Sequence, residues 1–122
     1  MTIIAAMMTR LLFPLAAVFL LLTAGQAMGQ GGAAPSPERQ AELVHMVRQD
    51  CGACHGMKLT GGLGPALTPD ALRAIPRETL TDTIFHGRPG TPMPGWKPML
   101  SEADAAWIAQ QLQAGFPQEP KP

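Results

Sequence analysis

Cys51 and Cys54 are the only cysteines in the chain, and His55 follows at once in the stretch "DCGACHG", residues 50 to 56. Two thiols and an imidazole at this spacing admit four chemistries. A thioredoxin-like dithiol needs a strand–helix–strand frame, and the sequence has no strand alternation. A zinc site needs four ligands, usually from two pairs. There is no second cysteine pair, and His45 and His86 are not spaced as one. A disulfide between residues this close would constrain little. Covalent haem accounts for every letter. The thiols can add to the two vinyl groups on one porphyrin edge, and the next residue can aim an imidazole at the iron. The small Gly52 and Ala53 let the backbone lie close to the ring.

One covalent haem c, with its iron, gives other residues expected roles. His55 is the expected proximal ligand, its second ring nitrogen donating to a carbonyl that fixes tautomer and orientation. Pro65 is the candidate acceptor, because proline has a carbonyl but no N–H. The candidates for the sixth ligand are Met46, Met57, Met93, Met99, His45 and His86. Met46 lies on the first helix and Met57 too close behind His55. A helical methionine usually fills core, and His86 reads as a cation at a helix C-terminus. Met93 stands in a stiff loop, "TPMPGW", with a proline on each side. His55 and Met93 are therefore the expected metal ligands. Thioether ligation favours reduced iron and raises the potential above that of a bis-histidine site. It leaves no open position, so no catalytic residue and no enzyme activity are expected. Trp96 reads either as a haem-edge contact whose indole donates to a propionate or as a loop anchor. Arg88 and Lys97 read either as propionate partners or as solvated charges.

These residues need helices to carry them. Ser36-Pro37 opens the first, with Ser36 as cap and Pro37 at its first position. Leu43, Val44 and Val47 give it an apolar face up to about Gln49, where the cysteine motif begins. "GMKLTGGLGPALTP", 56 to 69, is an ordered loop. Thr68-Pro69-Asp70 caps a short helix through Ala74. The next helix spans residues 76 to 86 and stops at Gly87. A second loop, "GRPGTPMPGWKP", covers 87 to 98. Ser101 caps a last helix that ends at Gly115 and Pro117, with Ala105, Ile108 and Leu112 on one face. The fold class is all-α: three to five short helices around one covalent haem.

Ahead of these elements, Arg10, the apolar run Leu11–Ala24 and small residues to Gly29 read as a secretory signal peptide over 1–29. Cleavage after Ala27 is the neighbouring alternative, and retention as an anchor the other reading. Residues 30–36 are then a flexible leader, 37–116 the cytochrome c domain and 117–122 a disordered tail. The exported chain, about 93 residues, has eight Lys/Arg and nine Asp/Glu, so nucleic acid is not an expected partner. A domain this small, with 13 glycines and 13 prolines in the chain and no tyrosine, has a thin core that a buried cofactor would complete.

"CGACHG", then "GPAL", a helix, a Met-Pro loop and a C-terminal amphipathic helix together resemble class I cytochrome c over residues 37 to 115. "LTGGLGPALTPDAL" and "GRPGTPMPGW" are similar to the haem-c domain of cytochrome cd-type nitrite reductase. They also resemble the small periplasmic monohaem cytochromes encoded beside that enzyme. Those relatives carry the axial methionine in a Gly-x-Pro-x-x-Met-Pro-x-Trp loop, and here Gly87 to Met93 is one residue longer. The resemblance implies a periplasmic, monomeric electron carrier with nitrite reductase as its partner in denitrification. Its alternative is an accessory electron-transfer protein in haem d maturation. A haem-based gas sensor or a peroxidase would instead need an open sixth position. Ala53, Leu63 and Pro94 are the expected apolar docking patch.

Overall fold

A computed structural model describes residues 32–119. The expected signal peptide, the first two residues of the leader and the last three residues lie outside this range. The described residues form five α-helices and one π turn, without strands. Helix α1 spans Pro37–Met46, with Ser36 Oγ accepting from the Arg39 N–H. A π turn, Val47–Cys51, carries the chain into α2, Gly52–His55. Helix α3 is Pro69–Leu72, capped by Thr68 and two residues shorter than expected. Helix α4 is Arg77–His86 and α5 is Glu102–Ala114.

The first helical run does not end near Gln49. No glycine or proline separates Pro37 from Cys51, so nothing breaks the run, and it continues through the cysteine motif to His55. Gly56, at φ +84°, ends it.

Helix α4 packs along α5, and α3 rests against the same helix. Leu43, Val44 and Val47 close the core from the other side against Ile108, Leu112 and Phe116. Ser101 and Asp104 form a full capping box at α5. Arg39 ties α1 to that cap: its Nη2 donates to Asp104 Oδ2 and to the Met99 carbonyl, each at 3.0 Å. Pro117–Glu119, assigned from sequence to the loose tail, are held by side chains of the first helical run. Arg48 donates to the Pro117 carbonyl, while Glu119 accepts from Gln49 and pairs with His45.

Candidate functional site

The helical run delivers Cys51, Cys54 and His55 on consecutive turns. Its π turn ends on Cys51, the first residue of the motif, and such wide turns concentrate at functional sites. Both thiols are free; Cys51 is half-buried and Cys54 exposed. Burial, aided by the Asp50 carboxylate, pushes the Cys51 thiol up to about 11, so it stays S–H at neutral pH.

His55 is buried, and its Nδ1 lies 2.7 Å from the Pro65 carbonyl. A carbonyl only accepts, so the proton sits on Nδ1 and the lone pair stays on Nε2. The loop after the motif holds this ring from the backbone. Gly61 N–H donates to the His55 carbonyl and Gly64 N–H to that of Cys54, both at 2.8 Å. These bonds satisfy helix-end carbonyls that would otherwise lack partners. The loop lies so close that a Cβ on Gly64 would fall 2.8 Å from His55 Cε1 and 2.9 Å from Nδ1. Leu59 takes a left-handed φ of +59°, with its side chain buried in the core.

Met93 stands half-buried in the loop between α4 and α5. Its N–H donates to Thr91 Oγ1 at 3.3 Å, and the Thr91 hydroxyl donates to the Arg88 carbonyl at 2.7 Å. Arg88 N–H donates in turn to the Met93 carbonyl. The loop is pinned to α4 by Trp96 N–H to the Ile84 carbonyl and Lys97 N–H to that of Phe85. Gly87 has φ +75°, and a Cβ there would lie 2.5 Å from Gly95 N, so loop and helix end touch through bare backbone. Trp96 packs half-buried against the core cluster. Lys97 Nζ lies over the Phe85 ring, while Arg88 is exposed.

The other ligand candidates have different surroundings. Met46 packs against the core, and Met57 and Met99 are more than half exposed. His45 Nδ1 is 3.0 Å from Glu119, and His86 lies edge-on to Phe85 at a helix end.

This arrangement fits covalent haem. It offers two free thiols one helical turn apart, a buried imidazole already in the ligating tautomer, and a half-buried thioether on a separate, braced loop. Among the described residues no three His, Cys, Asp or Glu side chains gather into a site for a bare metal ion. Sequence reasoning missed the π turn, the burial of Arg48 and the Thr91 brace. An arginine three residues before Cys51 carries no pattern that announces burial, although Phe116 and Pro117 supply its partners. The Thr-x-Met spacing did hold a signal, since threonine readily bonds to backbone close by in sequence.

Residues 27–111 match the family described as cytochrome C oxidase, cbb3-type, subunit III. The chain belongs to this family of c-type cytochromes, which hold haem c covalently and transfer electrons. Within it the chain is similar to cytochrome c55X of Stutzerimonas stutzeri, 56% identical over 85 residues, covering 70% of this chain and 75% of that one. Cytochrome c55X of Paracoccus denitrificans is 52% identical over 96 residues, covering 79% and 90%. The solved c-type cytochrome NirC is 58% identical with a TM-score of 0.66, over 66% of this chain and 95% of that one. Dihydro-heme d1 dehydrogenase NirN, solved in complex with DHE, is 36% identical with a TM-score of 0.56. That match spans 67% of this chain but 17% of NirN. The expected class I cytochrome c fold is the one found.

Proposed function

We propose that this chain is a periplasmic one-electron carrier that donates to cytochrome cd-type nitrite reductase, its haem iron clasped between His55 and Met93. The 2.7 Å bond from His55 Nδ1 to the Pro65 carbonyl carries this reading, because it readies the imidazole that follows the two thiols. The haem, when bound, supplies one-electron cycling between Fe(III) and Fe(II). Cys51 and Cys54 hold its edge, and His55 offers Nε2. The Pro65 carbonyl fixes the tautomer and makes the imidazole more basic. Met93 offers its sulfur, and Trp96 backs that loop. His55 and Met93 would together hold the iron, and the reading assigns no side chain to substrate binding or proton transfer.

Ala53, Leu63 and Pro94 are exposed, Leu63 at 94%, which suits a small transient redox contact. Among the described residues no helix is long and apolar enough to cross a membrane. The export signal read over 1–29 supports a periplasmic carrier. Anaerobic mixing of the reduced protein with nitrite reductase tests the reading. Haem oxidation within seconds is expected, and a haem that stays reduced overturns it. The likeness to part of dihydro-heme d1 dehydrogenase favours a second reading, electron transfer during haem d maturation. A deletion strain should then accumulate reductase lacking haem d, and fully loaded enzyme would remove that role.

A further inference from the structure

Arg48 is the only buried lysine or arginine among the described residues. A buried charge is normally paired with an opposite one. Here neutral carbonyls take the N–H groups. Nη2 donates to Phe116 O at 2.8 Å and Pro117 O at 2.6 Å, and Nε donates to Pro117 O at 3.0 Å. The guanidinium also lies over the Phe116 ring, 5.4 Å from its centroid. Among the described residues no carboxylate stands within ion-pair distance of it. Asp50 in the same turn is exposed, and Glu119 is engaged by His45 and Gln49. Carbonyl dipoles solvate this cation without neutralising it. Lys58, on the wall of a cavity of about 290 Å³ that Arg48 and Gln118 also line, adds charge of the same sign.

We propose that Arg48 raises the reduction potential of the haem: its buried charge, without an ion-pair partner among the described residues and set in the turn that runs into Cys51, disfavours the more positive oxidised iron. The inference rests on haem attachment at Cys51, Cys54 and His55 and does not depend on the sixth ligand. Arg48 and His55 lie seven positions apart on the helical run, roughly 10 Å of backbone at the rise of a helix. At that range inside a protein, one unit charge shifts a one-electron equilibrium by about tenfold. For one electron that is about 59 mV.

Three variants of the holoprotein test this by potentiometric titration. Arg48→Gln keeps an N–H donor but removes the charge, and should shift the equilibrium about tenfold toward oxidised haem. Arg48→Lys keeps the charge and should stay close to the unaltered protein. Gln118→Glu leaves every Arg48 bond in place, brings a carboxylate to the shared cavity and should lower the potential in the same direction. It therefore serves even where Arg48→Gln fails to fold. An unchanged potential in Arg48→Gln or, where that variant does not fold, in Gln118→Glu overturns the proposal. So does an Arg48→Lys potential as low as that of Arg48→Gln. A blank pyridine haemochrome from the unaltered protein overturns the haem reading itself, whereas covalent haem with an unmoved potential removes only the role of Arg48.

Discussion

The two segments that face the haem chemistry are built on opposite plans. The segment from Cys51 to Ala66 is one piece: a helix end, then a glycine loop folded back on it and sewn to it by main-chain bonds. The loop from Gly87 to Pro98 is pinned to α4 where it leaves the helix and at Trp96 and Lys97, and between those points Met93 is braced by its bond with Arg88 and by one threonine hydroxyl. The first has little freedom, because displacing His55 means unfolding the loop around it. The second can adjust while its end anchors hold. In the proposed ligand set, a fixed imidazole and an adjustable sulfur would hold the haem while leaving one bond to tune.

Substitutions can break or sharpen this contrast. The largest effect belongs to replacing both Cys51 and Cys54 with alanine. Covalent haem should vanish and, with so thin a core, little folded protein should remain; mass and helical circular dichroism check this. Met93→Ala should keep the covalent haem, lower the potential and let added imidazole or cyanide bind the iron. Unchanged ligand binding in an optical titration would mean that another residue holds the sixth position. Gly64→Ala forces a methyl into the His55 ring and should cost roughly 1–3 kcal/mol in chemical denaturation.

Asp104 tests the framework shared by both segments. Burial would push its carboxyl up, but hydrogen bonds from Arg39 and Ser101 outweigh that and hold it below the ordinary 3.8. Its stabilisation is therefore complete above the ordinary carboxyl range and disappears as pH falls through the lower native value. Asp104→Ala should cost about 1 kcal/mol at neutral pH and flatten stability against pH in the acid range. The smallest effect is expected from Thr91→Val, a few-fold faster entry of external ligands, with Thr91→Ser restoring the original rate by stopped flow. An equal slowing or speeding by Gly64→Ala and Thr91→Val would erase the contrast between the segments.

Much of this was legible because punctuation residues have fixed meanings. Ser36-Pro37, Thr68-Pro69 and Ser101 start helices as read, and Gly87 and Gly115 end them. The Pro65 carbonyl was identifiable because proline offers a main-chain acceptor and no N–H. The wide turn within the first helical run was not legible. The apolar face fades after Val47, and Arg48 in that turn bonds to chain almost seventy residues away. No local window contains both ends of that contact. Met93 was found as a residue, but the way its loop is braced depends on side-chain hydroxyl geometry that composition does not encode.

The acceptor opposite His55 is a main-chain oxygen, and that has an evolutionary consequence. Single-codon changes can delete a glutamate or an asparagine from such a position, but none can delete an amide oxygen. Lineages can therefore alter imidazole basicity only by reshaping the glycine-rich ribbon beneath it. Drift at Pro65 should be tolerated more readily than drift at Gly64, although only Pro65 touches the histidine through a bond.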